Sequence, residues 1–91
     1  MRWFPFEIYK VEGESMLPTL VPGQRVIINK WSKGAKGDLI VFYAQGRTMI
    51  KRISHIEKEQ RYVTGDNASK STGSEEFGKV SPQVIIGRVL G

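Results

Sequence analysis

The chain has no cysteine and a single histidine, His55. Disulfides and thiolate metal sites are therefore excluded, and the redox compartment leaves no mark on the composition. One histidine leaves no ordinary His/Cys zinc site, and no Ser-His-Asp triad unless His55 is its base. Neither a metal nor a cofactor is expected. Long apolar runs are also missing: nothing approaches the roughly 18 residues needed to span a bilayer. The start, Met1-Arg2-Trp3-Phe4-Pro5-Phe6, is aromatic but short, without the apolar region of a signal peptide. Its rings are expected to pack on the domain, although a membrane interface, where Trp is favoured, would also hold them. No stretch repeats apolar residues at a helical period, and the basic residues form no block of like charge.

What is present is a chain of 91 residues with 40% hydrophobic content and a formal net charge of +5. That length implies one domain, residues 1–91, with a modest core. The positive charge fits nucleic acid, an anionic surface or plain solubility; because it is scattered, a solvated surface is the default.

Short strands separated by turn signals run through the chain. Glu7 to Glu12 is a first strand. Leu20-Val21-Pro22-Gly23 is a turn. The β-branched run Arg25-Val26-Ile27-Ile28-Asn29 reads as a buried strand. Lys30 to Gly37 is a polar loop. Asp38 to Tyr43 is the strongest strand, Gln45-Gly46 a turn, and Arg47 to Ile56 a strand. Glu57 to Gln60 is a charged turn, Arg61 to Thr64 a strand, Ala68 to Gly78 a Ser/Gly-rich loop, and Val84 to Val89 the last strand. The pattern predicts an all-β domain with little or no helix, a small closed or half-closed barrel.

Three stretches carry candidate chemistry. In Gly13-Glu14-Ser15-Met16-Leu17-Pro18, glycine permits unusual backbone angles and proline disfavours helix before it. A serine held there points out of a turn, which suits a nucleophile; a turn serine satisfying its own backbone looks the same locally. A serine hydroxyl also needs a base. In Met49-Ile50-Lys51-Arg52-Ile53, strand alternation puts Lys51 on one face with Met49 and Ile53. Desolvation on an apolar face favours the neutral amine, the form a base requires. The alternative is a lysine that snorkels to solvent. His55 continues that face beside the charged turn and reads as a surface histidine. In Gly65-Asp66-Asn67, Asp and Asn suit a turn, and the loop after it holds Ser69, Ser71, Thr72 and Ser74, any of which could orient a lysine amine. Asn67-Ala68-Ser69 also matches a glycosylation acceptor, a weak signal here.

These stretches, in this order, resemble the type I signal peptidases, the serine/lysine endopeptidases that remove signal peptides. Their nucleophile motif, Gly-x-Ser-Met-x-Pro-Thr-Leu, matches Gly13 to Leu20. Their Gly-Asp-hydrophobic strand matches Gly37 to Phe42, and their Lys-Arg-hydrophobic strand matches Lys51-Arg52-Ile53. Their Gly-Asp-Asn box matches Gly65-Asp66-Asn67, through to Phe77-Gly78. The resemblance implies Ser15 as nucleophile and Lys51 as general base. It aligns Ser71 with the serine that hydrogen-bonds the lysine, and Ser74 with a second serine of the same box. It gives the Ser15 amide an oxyanion-hole role and puts Gly13 where some members add a hydroxyl donor. Asp66, Arg52 and Asn67 would be structural, the first two as a buried pair.

The departures from the family pattern are specific. Gly73 and Glu75 replace the acidic and basic residues that flank the last box serine. Neither the membrane-spanning N-terminal helix nor the large insertion before the Gly-Asp-Asn box is found, so a minimal peptidase core is expected. In this it is similar to the nickel-type superoxide dismutase maturation proteases of the same family; a truncated membrane signal peptidase core shares these features. SOS-repressor-type autoproteases share the serine/lysine fold, but the Gly-Asp-Asn box and the lack of a DNA-binding domain set this chain apart.

The resemblance thus implies a serine endopeptidase acting on a precursor protein or peptide, with no nucleic-acid partner. A peripheral membrane contact is compatible with it. So is a soluble location, cytoplasmic for a maturation protease. The contrasting reading is a non-catalytic basic barrel that binds nucleic acid or peptide, with Trp31, Tyr43 and Tyr62 as stacking rings.

Overall fold

The computed structural model describes residues 4–67 and 78–90. The strands are β1 (Phe6–Lys10), β2 (Arg25–Asn29), β3 (Leu39–Ala44), β4 (Arg47–Glu57), β5 (Gln60–Thr64), β6 (Lys79–Val80) and β7 (Ile85–Val89), with one 3-10 turn at Pro82–Val84. They form a single antiparallel sheet in the order β1-β2-β7-β3-β4-β5-β6. The all-β expectation holds, and the expected strands recur with small shifts at their ends. The short β6 and the 3-10 turn had no sequence signal. Among the described residues the sheet does not close into a barrel: β1 and β6 are the two edges of an open sheet. Closure needs long edge strands that can pair, and β6 has only two residues.

Both faces of the sheet are covered at its centre. One core cluster holds Val11, Met16, Leu20, Val26, Ile28, Val41, Ile50 and Val89. The other holds Ile40, Phe42, Met49, Ile53, Val63, Val80 and Ile85. This explains the continuous apolar run of β3. Val41 faces one cluster and Ile40 and Phe42 the other, so the middle of β3 is buried on both faces, as in strands covered on two sides, while Tyr43 near its end is exposed.

Two-residue turns join β3 to β4 and β4 to β5. Ala44 pairs with Arg47 across Gln45-Gly46, and Glu57 pairs with Gln60 across Lys58-Glu59. All four turn residues have positive φ, the geometry whose twist matches a hairpin. Of the N-terminal aromatics, Phe4 and Phe6 do not join the core clusters, and Trp3 lies outside the described residues. Phe4 and Phe6 meet edge to face at 5.8 Å and stay 56% and 43% exposed.

Gly87 lets β7 approach β2. A Cβ there would lie 2.7 Å from the Asn29 carbonyl oxygen, a backbone atom with little freedom to move. Gly87→Ala should therefore destabilise the fold by about 1–3 kcal/mol, the usual range for overpacking, read as a lowered urea midpoint with an unchanged m-value.

Candidate active site

The Ser15 loop, which carries the candidate nucleophile, is the connection of the β1–β2 hairpin. It is clamped at its base, where the Val11 N–H donates to the Gln24 carbonyl at 2.8 Å and the Gly23 N–H donates to the Val11 carbonyl at 2.8 Å. Within it, Leu17 N–H donates to the Glu14 carbonyl at 3.2 Å and Leu20 N–H to the Met16 carbonyl at 3.0 Å. The Leu17–Pro18 peptide is cis, and Gly13 has φ +79°. A Cβ at Gly13 would touch nothing within 4 Å, so the backbone angle alone accounts for glycine there. Met16 and Leu20 are buried at 1% and 5% exposure. They fasten the loop to the core on either side of the turn and leave Ser15 half-buried at the surface.

Lys51 comes from the middle of β4, half-buried. Residues Arg47 to Arg52 of β4 pair with β3, whereas β5 pairs with β4 only from Arg52 onward. Among the described residues, the other edge of Arg47 to Ile50 therefore has no strand partner. A cleft of about 750 Å³ opens there. One wall is Glu12, Gly13, Glu14 and Ser15 with Pro22; the other is Arg47 to Lys51. Ser15 and Lys51 thus line the same cleft.

A second set of groups holds the two walls together. Arg52 donates twice to Asp66: Nε to Oδ1 at 2.9 Å and Nη2 to Oδ2 at 2.7 Å. Arg52 Nη1 also donates to the Gly37 carbonyl at 2.7 Å. Asp66 Oδ2 accepts from the Thr19 hydroxyl at 2.6 Å. Asn67 reaches the nucleophile loop as well: its N–H donates to the Ser15 carbonyl at 2.8 Å and its Nδ2 to the Glu14 carbonyl at 2.9 Å. The Arg52–Asp66 pair, expected to be buried, is partly open, with side chains 36% and 15% exposed. The hydrogen bonds from Arg52 hold the Asp66 carboxyl below its ordinary value, against the desolvation that would raise it, and Thr19 adds to the lowering. The hydrogen bond to Asp66 raises the Arg52 guanidinium further.

His55 stands apart from this cleft. A β-bulge shifts the register between Ile53 and His55, so the alternation that would put His55 on the Lys51 face is broken. Its ring stacks on Tyr62 at 4.4 Å, and Nε2 lies 3.8 Å from Glu57. Ser69, Ser71, Thr72 and Ser74, with Gly73 and Glu75, lie outside the described residues. Among the described residues, no group of three or more His, Asp or Glu side chains is placed to hold a metal. The sequence reading missed the part played by Thr19, although it belongs to the nucleophile motif. It also missed Arg47 and Thr48 as cleft residues; their signal is their position on the strand that carries Lys51.

Among the described residues, a seven-stranded antiparallel sheet brings a turn serine and a strand lysine to one cleft, and comparison places the chain within a family. The model of the family described as "Signal peptidase, peptidase S26" matches residues 1–56, and the chain belongs to that family. Signal peptidase I of Bacillus caldolyticus is 41% identical over 58 residues, which are 58% of this chain and 32% of the relative. Signal peptidase I P of Bacillus subtilis subsp. natto is 33% identical over 73 residues, 74% of this chain and 40% of the relative. The chain therefore spans well under half the length of these curated relatives.

The Asp66 bracket makes a signed prediction. A carboxyl whose value is depressed on folding adds stability above its unfolded value, about 3.9, and loses it as pH falls through the lower folded value. Wild-type stability should fall with pH through that acid window, and Asp66→Asn should remove this part of the fall. At neutral pH the same substitution should cost about 1–3 kcal/mol, the range for losing a charged hydrogen-bond partner. Thermal melts of both proteins across pH check both statements.

Proposed function

We propose that the chain is a serine endopeptidase core that removes a leader or signal peptide from a precursor protein, with Ser15 as nucleophile and Lys51 as general base. The observation that carries this reading is the shared cleft: the serine of the family's nucleophile motif and the lysine of its Lys-Arg strand line opposite walls of it.

In this mechanism Ser15 Oγ attacks the scissile carbonyl carbon while its proton passes to the neutral Lys51 amine. The carbonyl oxygen becomes an oxyanion. Among the described residues, the Ser15 N–H donates to no protein acceptor, which leaves it available to receive that charge. Collapse breaks the C–N bond, and the Lys51 ammonium protonates the leaving amine. Water then attacks the acyl-enzyme, Lys51 takes its proton, and the Ser15 hydroxyl is restored. Ser71 would orient the lysine, as the resemblance implies, with Ser74 a second serine of the same box, and Gly13 leaves the oxyanion hole without a side-chain donor. Asp66, Arg52 and Asn67 act on the nucleophile loop from behind.

The edge of Arg47 to Ile50, which no described strand covers, supports substrate binding as an added strand, because an extended peptide pairs with the backbone of a sheet edge. The resemblance adds small side chains near the cleavage point. No observation favours the nucleic-acid reading: Trp31 and Tyr43 are exposed, but Tyr62 is already stacked on His55.

Cleavage of a panel of secretory precursors and a nickel superoxide dismutase precursor, with and without detergent, tests the proposal. Ser15→Ala and Lys51→Ala should each lower the rate by at least about 10³-fold with an unchanged thermal midpoint. Cleavage retained by purified Ser15→Ala would refute the assignment.

A further inference from the structure

The cleft that holds Ser15 and Lys51 carries charge on both walls. Glu12 and Glu14 stand on the loop wall, and Arg47 stands on the β4 wall at the end away from Lys51. An exposed arginine is ordinarily a solvated charge that contributes little. Arg47 differs by its position. It is the first residue of β4, directly after the Gln45-Gly46 turn, and pairs across the hairpin with Ala44. A methyl group cannot engage a guanidinium, so β3 supplies no cross-strand partner for the charge. Arg47 takes part in no ion pair among the described residues, although two carboxylate side chains line the opposite wall.

Register places this charge relative to the reacting groups. Arg47, Met49 and Lys51 pair with Ala44, Phe42 and Ile40. Ile40, Phe42 and Met49 belong to one core cluster, and Ala44 packs against it, so Arg47 and Lys51 project from the same face of β4. They are four residues apart, about 13 Å along a strand. Among the described residues no strand covers the outer edge of Arg47 to Ile50. A peptide added there lies in step with β4, and opposed residues share a face with their Cβ atoms about 5 Å apart. The peptide residue four positions from the one beside Lys51 therefore lies opposite Arg47. The leader is the acyl half of the substrate and stays bound through both chemical steps, so the edge that holds the substrate serves the leader.

Charge then selects the side chain at that position. A guanidinium forks onto a carboxylate through two parallel N–H donors. Glu12 and Glu14 repel an acid elsewhere in the cleft, and such repulsion sharpens selection as much as attraction does. The cleft thus favours an acid in one register rather than acidic peptides in general.

We infer that Arg47 is a specificity-determining residue that recognises an acidic side chain of the leader, on the fourth residue before the one whose carbonyl Ser15 attacks. The inference rests on the reading of the cleft as a leader-peptidase site with Ser15 and Lys51 at its reacting end.

Synthetic leader peptides with an alanine-flanked cut, differing only in Glu, Gln or Lys at that fourth position, test it in two ways. Binding to the Ser15→Ala protein is read by fluorescence anisotropy. Cleavage by the wild type is read as kcat/KM, with the cut mapped by mass spectrometry. The Glu peptide should bind about fivefold more tightly than the Gln peptide, the Lys peptide should bind most weakly, and the differences should shrink as salt rises. Arg47→Gln should bring the Glu-over-Gln ratio to about one, and Arg47→Glu should invert it in favour of Lys. Moving the Glu one residue either way should abolish the preference, because that side chain projects from the other face. Circular dichroism identifies any Arg47 variant that does not fold, and the peptide series on the parent protein then decides. A Glu preference that survives in folded Arg47→Gln overturns the inference. So does binding of no peptide, an absent preference, or an equal preference at every position, which net charge alone would produce. An acid preference confined to the mature side of the cut does the same. The peptidase assignment and this inference fail separately. Charge-selective binding without cleavage refutes the first and keeps recognition by Arg47, and Ser15-dependent cleavage without charge selection does the reverse.

Discussion

The Asp66 carboxylate is the point at which distant parts of the chain are tied. Through Arg52 it binds the lysine strand; through the Thr19 hydroxyl it binds the nucleophile loop. Arg52 extends the tie to the Gly37 carbonyl, at the entry to β3. The neighbouring Asn67 adds two more bonds, to the carbonyls of Glu14 and Ser15. A loop serine and a strand lysine on separate elements would otherwise depend on packing alone for their spacing. A bidentate arginine–carboxylate pair fixes direction as well as distance, which is what two cleft walls need. The half-buried setting matters too. It limits the desolvation cost that a fully buried pair would carry and still shields the bonds from competition by water.

The cleft itself is a consequence of unequal strand pairing. β4 is the longest strand, at 11 residues. It gives its first half to β3 and its second half to β5, so the first half keeps one open edge. The nucleophile loop rises opposite that edge because Met16 and Leu20 are pulled into one core cluster. Met49 and Ile53, which flank Lys51 along β4, belong to the other cluster. Both clusters therefore take part in supporting the site.

Much of this was legible in the chain. The run Asp38 to Tyr43 reads as a strand because branched and aromatic residues fill both faces, and Gln45-Gly46 reads as a turn because glycine accepts positive φ. Gly13, Ser15 and Pro18 announce a turn serine, and Lys51 announces a lysine among apolar neighbours on a strand. Other features were not legible. Lys58-Glu59 is a tight turn built without glycine or asparagine, held by the hairpin around it rather than by local preference. The bulge before His55 inserts one residue and so reverses the alternation from which its face was read. Barrel closure could not be read either, since it depends on whether the edge strands are long enough to meet.

By itself the sequence determined the strand content, the turn that exposes Ser15, and the family of motifs, because those follow from local backbone preference and residue spacing. Only the tertiary structure decided that Ser15 and Lys51 line one cleft. It also decided that Thr19, Arg52, Asp66 and Asn67 brace it, and that Arg47 lines it in step with Lys51. These are contacts between segments far apart in the chain. Their register is set by which strands pair and which edges remain open, and no local signal carries that information.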